Sequence, residues 1–577
     1  MYREKSAEGR RETGAIIKPR GGRITVGLVF PGTYYVGMSS LGYQTIYRII
    51  NARADALAER LFLPDERKRR FEAGLPASIE TGAKPRDFEI LAFSVSFEHG
   101  YTAVADFLRL SGIPPLSRDR NESHPLLVFG GVCTFFNPEP LADFFDAVVV
   151  GEAEESINEF LDEYANVKSA GRRELLTALS KVSGIYIPSL YTPAYNPDGT
   201  IKSFTPPPGA PEKVIRRYVK DLDKFPARSA IITPDTEFGD MFMVELSRGC
   251  GRHCRFCMAG YVYRPPRNRS FESVKKDIEA GRKLAKKIGL VGSAVSDWPW
   301  ISELARELEA RSQSTGRGRP TGFSASSLRA DSLTPELAAL VAKGNRTVAI
   351  APEAGSERLR AVINKNISEE HVLSAIRMLI EAGVLNVKLY FMVGLPTETD
   401  EDIEEIINLA GKAREVMLSS ARGKGRIGTL TLSVNCFIPK PWTPFQWEPM
   451  GAVDRLLAKV RHIEKSLKGP NLAVTHDVPK YAFIQAALAR GDRRLSKVIL
   501  RASENGGDWK AAFAKENLSM DFFAARERDA AEKFPWDFLD TGIKKDYLLK
   551  EKDRAKKARH TPGCNVGKCR TCGVCPE

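Results

Sequence analysis

The chain has 577 residues, of which 43% are hydrophobic and 27% are charged, and its formal net charge is +14. This length exceeds the size at which one hydrophobic core stops growing, so we expect several folded units. The N-terminus is charged throughout and no apolar run approaches the roughly 18 residues that cross a bilayer, so we expect no membrane span and a cytoplasmic protein. The basic balance permits a polyanionic partner such as RNA.

A basic arm at 1–23 precedes a region, 24–165, in which strand and helix patterns alternate. "RITVGLVFP" predicts a buried strand and "LGYQTIYRIINARADALAERLF" predicts an amphipathic helix. The alternation continues through "FEILAFSVSF", "YTAVADFLRLSGI", "PLLVFGG" and "AVVVGEAEESINEFLDEYA". Strands alternating with helices predict a parallel sheet with helices on both faces, a doubly wound α/β domain of Rossmann type. Such a sheet binds ligands at the carboxyl ends of its strands.

Four further regions follow. Residues 166–235 are rich in Pro and Gly and predict a linker with a small hairpin around "NPDG". Residues 236–450 contain six strand patterns that alternate with helices, which predicts a parallel, barrel-like sheet with its active face at the carboxyl ends of the strands. Residues 451–540 predict a mostly helical extension, and 541–577 form a basic, Cys-rich tail.

The nine cysteines are distributed unevenly, which indicates metal binding rather than a disulfide scaffold. Cys250, Cys254 and Cys257 follow the first barrel strand within eight residues. A tetrahedral zinc site needs a fourth ligand, and His253 is badly placed to serve beside two of these cysteines. A [4Fe-4S] cube needs one ligand per iron, so three cysteines leave one iron open for another ligand.

The segment "CGRHCRFC" resembles the defining motif of the radical S-adenosylmethionine (SAM) superfamily, Cys-x3-Cys-x-aromatic-Cys, with Phe256 at the aromatic position. The resemblance implies a partial (β/α)6 barrel and a [4Fe-4S] cluster whose open iron binds SAM. It also implies that reduction cleaves SAM to a 5′-deoxyadenosyl radical that abstracts hydrogen from a substrate, with an electron donor of flavodoxin or ferredoxin type.

The same resemblance implies SAM contacts at the later strand ends, although it assigns no catalytic side chain. Gly292 and Ser293 match a Gly-Gly-Glu-like segment whose usual Glu is absent. Turn glycines and helix caps are the alternative explanation for each position. The remaining expected SAM contacts are Ser327, Arg329, Glu353 and Gly394.

The N-terminal domain resembles the B12-binding domain found in one class of these enzymes. The similarity lies in "PLLVFGGVCTFFNPEPLADFFDAVVVGEAEESI", where Gly130, Gly131 and Gly151 are the expected cobalamin contacts. The Asp-x-His-x-x-Gly loop that ligates cobalt is missing. The domain therefore binds a corrinoid without this ligand, or holds substrate, or holds nothing. Methylthio-transferring relatives carry three N-terminal cluster cysteines, and Cys133 alone excludes that arrangement here.

The tail carries Cys564, Cys569, Cys572 and Cys575. The Cys-x2-Cys-x2-Cys run has the spacing of bacterial ferredoxins and favours a second [4Fe-4S] cluster, while zinc and a tail of free thiols are the alternatives. If the tail docks on the barrel, it could relay electrons, bind substrate or donate sulfur.

Three functional hypotheses follow. The first is a radical SAM enzyme that modifies, for instance methylates, a large substrate such as RNA or protein. The second is a corrinoid-dependent radical SAM methyltransferase acting on a small lipid or tetrapyrrole-like molecule, and the third is a nucleic-acid-binding protein with structural clusters. The whole chain is similar to a bacterial radical SAM family with a Cys-rich tail. Aromatic residues in "NCFIPKPWTPFQW" line a substrate mouth or pack the last strand against the extension.

Overall fold

The computed structural model describes residues 11–64, 76–206, 208–314, 322–325, 328–423 and 425–575. The N-terminal strands are β1 (Ile24–Phe30), β2 (Ala56–Phe62), β3 (Ile90–Ser94), β4 (Leu126–Gly130), β5 (Ala147–Val149) and β6 (Ile185–Tyr186). They form one sheet in the order β2-β1-β3-β4-β5-β6, in which all pairs are parallel except β5 with β6. The expected Rossmann-like sheet is confirmed.

Helices cover both faces of this sheet. Leu28 of β1 lies in a buried cluster with residues of the helices Leu41–Ala52 and Ala153–Val167. Its neighbour Val29 lies in another cluster with residues of the helix Tyr101–Leu110. Successive side chains of a strand point to opposite faces, so β1 is buried on both sides, as the predicted doubly wound arrangement requires. The other helices here are Tyr34–Gly37, Cys133–Phe136 and Arg172–Leu179.

The prediction of one helix through "LGYQTIYRIINARADALAERLF" was wrong at its C-terminal end. The helix stops at Ala52, and the remaining residues form the edge strand β2. Arg60 of this strand is buried between Glu12 and Glu80, at 2.7 and 2.6 Å. Helix-forming residues are held in an extended segment by these buried ion pairs, because tertiary contacts override local propensity.

The linker folds as expected around a hairpin of β7 (Thr192–Tyr195) and β8 (Ile201–Thr205). It also contributes β9 (Val214–Ile215), which pairs with β19 (Leu539–Asp540) near the end of the predicted helical extension. The N-terminal arm is attached as well, since Thr13 pairs with Ile232.

The third region contains β10 (Met241–Glu245), β11 (Ser247–Arg248), β12 (Arg267–Asn268), β13 (Lys287–Val291), β14 (Gly322–Ala325), β15 (Thr347–Glu353), β16 (Asn386–Val393), β17 (Leu430–Cys436) and β18 (Leu472–His476). Two parallel sheets, β10-β13-β14 and β15-β16-β17-β18, are joined by a bridge between Leu328 and Ile350. All six predicted barrel strands are present. β18 adds a strand within the segment predicted to be mostly helical.

Helices alternate with these strands at Ala259–Val262, Phe271–Leu284, Ile301–Ser314, Pro335–Ala342, Glu357–Val362, Glu369–Glu381 and Asp400–Ser420. The C-terminal helices are Val453–Ser466, Pro479–Arg490, Leu495–Glu504, Trp509–Lys515, Met520–Ala524 and Lys545–Lys556. Within the described ranges, no helix is both long and apolar enough to cross a membrane. Phe437, Phe445 and Trp447 are fully buried, so these aromatics pack the last barrel strand rather than line a mouth.

Candidate metal centres and the chamber beside them

The three-cysteine loop is an arch that leaves the barrel at the carboxyl end of β10. Its two ends are held together because β11 pairs antiparallel with β12. Gly249 has a φ of +78°, and a Cβ there would lie 2.5 Å from the carbonyl oxygen of Tyr263. Glycine is therefore required at the point where the arch begins to turn.

The thiols of this arch are free and close enough to influence one another. Burial, together with Cys254 and Cys250, raises the pKa of Cys257 to about 12. Burial also raises the pKa of Cys250. Among the described residues, no three Cys, His, Asp or Glu side chains are arranged around a single ion. A cube makes a different demand, since each sulfur binds its own iron, and three thiols from one loop would supply three of the four ligands that its irons need.

Charged side chains from the neighbouring strand ends surround the arch. Arg252 pairs with Asp297 after β13 at 2.7 Å and with Asp331 after β14 at 3.4 Å. After β15, Glu353 pairs with Lys365 at 3.1 Å. Burial opposes the charge of Lys365, but Glu353 and Cys254 raise its pKa. Arg252 thus fixes the arch to two successive strand ends, while the Glu353–Lys365 pair stands at the next one.

Two glycines among the expected SAM contacts stand at strand ends as predicted. Gly292 follows β13, where a Cβ would lie 2.9 Å from the hydroxyl of Ser247, and Ser293 is next to it. Gly394 follows β16 with a φ of +83°, but its N–H donates to the Glu398 carboxylate at 2.9 Å. The amide of Gly394 is therefore already engaged by this chain.

The side chains expected to contact SAM differ in how far other groups of this chain already bind them. Arg329 donates to Asp331 at 3.0 Å and to the carbonyl of Lys365 at 2.9 Å, so its guanidinium is engaged. Glu353 has a φ of +71°, a strained conformation for a side chain with a Cβ. Phe256 packs against the small core cluster that contains Phe437 and Ala555. Ser327 lies outside the described residues.

His253 is occupied by other partners. Its Nδ1 receives a hydrogen bond from Arg264 at 2.8 Å and contacts the hydroxyl of Tyr547. Burial, with Arg264 and Arg255 nearby, lowers the pKa of His253 to about 3. The imidazole is neutral, and these contacts agree with the sequence argument against a ligand role.

The Cys-rich tail docks directly on the outside of the arch. The Cys564 N–H donates to the carbonyl of Gly251 at 2.7 Å. Arg255 is fully buried and pairs with Glu551 at 3.2 Å, while its guanidinium also donates to the carbonyl of Arg559 at 2.7 Å. Two cysteine sets separated by three hundred residues of sequence are therefore neighbours.

The tail cysteines also lie close enough to influence one another, and Cys572 is buried. Burial raises the pKa of Cys564, which also senses Cys569, Cys572 and Cys575. Hydrogen bonding from Thr571 lowers the pKa of Cys569. Arg264 interacts electrostatically with the same set, so one buried guanidinium faces both the tail cysteines and His253 of the arch.

A buried ion-pair network joins the N-terminal sheet to the base of the arch. Glu152, just after Gly151, accepts from Arg267 of β12 at 2.7 Å and from Arg248 of β11 at 2.9 Å. Arg248 also pairs with Glu154 at 2.7 Å. Burial alone would raise the pKa of Glu152, but Arg267 and Arg248 lower it. The Gly-Glu-x-Glu segment thus locks the two domains together.

Above this network lies a chamber of about 490 Å³ between the two domains. Its lining includes Ser94, Ser96, Gly131 and Gly151 from the N-terminal sheet and Gly292 and Ser293 from the barrel. The carboxyl ends of both sheets therefore open into one space, although Gly130 is not among its lining residues.

The expected corrinoid glycines have a structural role of their own. A Cβ on Gly131 would lie 2.5 Å from the carbonyl of Val95, and one on Gly151 would lie 2.2 Å from the carbonyl of Arg217. On Gly130 a Cβ would meet only an ordinary contact at 3.6 Å. Backbone packing therefore explains two of the three glycines without a corrinoid.

Comparison with known proteins identifies the family. Residues 244–410 match the model of the radical SAM superfamily, and residues 42–188 match the model of radical SAM proteins, N-terminal. The uncharacterized protein MJ0966 of Methanocaldococcus jannaschii is 31% identical over 534 residues, which cover 91% of this chain and 98% of that one. This chain belongs to the radical SAM superfamily. It is a radical SAM enzyme, and this superfamily uses SAM and an iron-sulfur cluster.

Other radical SAM relatives match over part of their length. An uncharacterized methyltransferase of Pyrococcus horikoshii, PH0819, is 25% identical over 308 residues, 52% of this chain and 60% of the relative. The tRNA-2-methylthio-N(6)-dimethylallyladenosine synthase of Thermotoga petrophila is 27% identical over 201 residues, 32% of this chain and 44% of that enzyme. The solved structure of the cobalamin-dependent SAM radical enzyme OxsB is 17% identical and overlaps with a TM-score of 0.47 over 67% of this chain and 52% of its own.

Sequence reasoning did not find the arginines that fix the arch. Arg252 and Arg255 stand inside the cysteine motif, and the missing information was the pairing of both and the burial of Arg255. Charged residues inside a loop that emerges from a buried strand are a usable signal, because a buried charge needs a partner. The partners, Asp297 and Glu551, are too distant in sequence for any local pattern to identify them.

Proposed function

We propose that Cys250, Cys254 and Cys257 hold a [4Fe-4S] cluster and that this enzyme modifies a substrate by radical chemistry. When bound, the cluster and SAM supply reductive cleavage to methionine and a 5′-deoxyadenosyl radical. The observation that carries the proposal is the arch itself, with three free thiols, one buried and two half-buried, at the carboxyl end of a barrel strand. Three donors leave one iron of a cube for SAM.

The chain's own residues orient and shield this centre. The paired charges of Arg252, Asp297 and Asp331 hold the arch on the second and third strand ends. The high thiol pKa of Cys257 means that its proton must leave when a metal binds, because thiolates are the ligands. Gly292 and Ser293 line the chamber, which supports their expected role as SAM contacts through backbone and hydroxyl groups.

We propose that the reacting group of the substrate enters the chamber between the two domains. Its volume of about 490 Å³ lies within the range of small-ligand pockets and suits a single extruded nucleobase or side chain better than a folded macromolecule. The net charge of +14 and the relatives named for tRNA modification support RNA as the first substrate class, with protein next. The relative named as a methyltransferase supports methylation as the outcome.

The corrinoid-dependent alternative has weaker support. The chamber is where a corrinoid would lie, but a corrinoid with its nucleotide tail is larger than the ligands that such volumes hold. The described residues that line it include no histidine to ligate cobalt. Cobalamin therefore stays a prediction, and no step of the proposed reaction depends on it.

A second [4Fe-4S] cluster on the tail is part of the proposal. Four thiols with ferredoxin-like spacing interact with one another, and the nearby Arg264 guanidinium compensates negative charge on a thiolate-bound group. Zinc bound by the same four sulfurs is the competing outcome.

The test is anaerobic reconstitution followed by incubation with SAM and dithionite. We expect about eight irons per chain, four for each cube, and formation of 5′-deoxyadenosine. A fully loaded protein that forms none would refute the proposed chemistry. Zinc in place of four irons would refute the second cube alone, and a stoichiometric amount of cobalt would establish the corrinoid alternative.

A further inference from the structure

We propose that the Cys-rich tail is the docking surface for an acidic, one-electron protein carrier and that the electron passes through the tail's metal group to the three-cysteine arch. The inference rests on the proposed function and adds to it the place and the chemistry of the partner. It follows from three properties of the tail: its contact with the arch, its exposure and its charge.

The contact provides a short path. Cys564 is bonded through its N–H to Gly251, the residue that follows Cys250, and its Cβ lies 3.4 Å from where a Cβ on Gly251 would be. A second connection runs from Arg264 to His253 at 2.8 Å, beside Cys254.

The second property is exposure to solvent, which is greater around the tail cysteines than around the arch cysteines. Each set has one buried cysteine, Cys254 in the arch and Cys572 in the tail, and its other cysteines are half-buried. The residues between the cysteines differ: residues 565–568, Arg570 and Thr571 of the tail are exposed, whereas none of the arch residues from 251 to 260 is exposed. A carrier in solution can therefore approach the tail group more closely than the group held by the arch.

The charge around the tail selects an acidic partner. Between 541 and 575, the exposed acidic residues in the described chain are Asp546 and Asp553. Exposed basic residues are far more numerous: Lys544, Lys545, Lys550, Arg554, Lys556, Lys557, Arg559, Lys568 and Arg570. Complementary potentials steer encounter, and a flavodoxin or ferredoxin with a negative surface fits this patch.

The transfer is balanced in electrons. A reduced carrier, such as a flavodoxin hydroquinone, loses one electron and becomes a semiquinone. A redox group held by the tail cysteines would accept that electron and pass it to a group held by the arch, and would so return to its starting state. The net result is a carrier oxidised by one electron and an arch group reduced by one electron, ready to donate to SAM.

The test uses the double variant Lys568→Glu/Arg570→Glu of the full-length, reconstituted protein. Stopped-flow absorbance would follow cluster reduction by flavodoxin hydroquinone and by dithionite, and the ratio of the two rates is the readout. We expect the ratio to fall at least about tenfold at low salt and the deficit to shrink at high salt. The matched control is Arg173→Glu/Lys181→Glu, which reverses two exposed charges on the N-terminal domain and should leave the ratio unchanged.

Two outcomes would overturn the inference. One is an unchanged ratio in the tail variant. The other is that the variant loses affinity for tRNA in a filter-binding assay while keeping its rate with flavodoxin, because the patch would then serve RNA. Neither result affects the proposed function, which fails only if the unmodified, loaded protein forms no 5′-deoxyadenosine with dithionite.

Discussion

The arch and the tail hold their cysteines in different structural surroundings. The arch is closed at its base by a strand pair, turns at a glycine that no other residue can replace without strain, and is held by charges on two strand ends. The tail cysteines lie in a stretch without helix or strand after the helix Lys545–Lys556. Hydrogen bonds hold this stretch at Arg559, at Thr561, at Cys564 and at the carbonyl of Cys572, which accepts from the Lys544 N–H at 2.9 Å.

The two surroundings suit different kinds of chemistry. Radical chemistry needs reacting atoms held in place and protected from water, and a closed arch beside a chamber provides both. Electron transfer tolerates a less rigid segment, provided that one side of the segment faces the partner protein and the other side faces the electron acceptor. The four predictions below test whether the two cysteine sets act separately and which contacts hold the arch and the tail in place.

The largest effect is expected from Cys254→Ala. Loss of one of only three ligands should remove the arch cluster, lowering the iron content from about eight to about four per chain and abolishing 5′-deoxyadenosine formation. Iron analysis and chromatography of the product measure this. The control is Cys436→Ala on β17, which removes another buried thiol and should retain about eight irons. Equal iron in both variants would contradict the assignment of the arch.

The second prediction concerns the base of the arch. Glu152→Gln should destabilise the protein by about 3–5 kcal/mol at pH 7, because it leaves Arg248 and Arg267 buried without their shared carboxylate. Thermal unfolding measures this. The control is Glu155→Gln, whose exposed pairing with Arg217 is worth at most about 1 kcal/mol.

The same pair of variants has a defined pH dependence. The folded state lowers the pKa of Glu152, so its stabilisation is complete above the unfolded value of about 4.3 and is lost as the pH falls through the lower, folded pKa. The difference in free energy of unfolding between the Glu152→Gln variant and the unmodified protein should therefore be constant near neutrality and shrink below about pH 4. A difference that grows on acidification would contradict this role.

The third prediction compares two glycines on either side of Cys250. Gly249→Ala should cost about 1–3 kcal/mol in strain and displace the arch, since its φ is positive and its Cβ would meet a backbone carbonyl. Gly251→Ala should be tolerated, because its nearest contact is the ordinary 3.4 Å to Cys564. Electron paramagnetic resonance of the reduced proteins should show a weakened arch signal in the first variant alone. Equal signals would indicate that the arch is not rigid.

The smallest effect is expected where the tail is attached. Glu551→Gln replaces a charged partner of Arg255 by a neutral one and should weaken the attachment by about 1.5 kcal/mol, less than the loss of Glu152, because the Arg255 guanidinium keeps backbone carbonyl acceptors. Limited proteolysis should then cut the tail several times faster, with unchanged cutting elsewhere. Asp553→Asn, an exposed neighbour on the same helix, is the control and should behave like the unmodified protein.

Local patterns identified most strands and the arch, but not the parts that depend on distant partners. β13, β16 and β17 are apolar runs between turn signals, which sequence periodicity detects. β2 was missed because buried ion pairs override its helical composition. β18 was missed because it is short and only partly buried, with helices on both sides.

The site shows the same limit. The spacing of Cys250, Cys254 and Cys257 is a local signal, and its position after β10 followed from the strand pattern. The docking of the tail on Gly251 depends on a contact between segments far apart in sequence, which no periodicity encodes. Gly131 and Gly151 were predicted as ligand contacts. A glycine is required where the backbone passes close to a ligand and also where it passes close to another protein segment, so the sequence does not separate the two cases.

The hydrogen bond between Cys564 and Gly251 also sets an order of events during synthesis. The ribosome makes the arch long before it makes the segment that covers it, and at about 5–20 residues per second the interval is on the order of tens of seconds. During that interval the arch lacks its contact with the tail. If the arch holds the proposed cluster, insertion at this stage would not require the tail to be displaced.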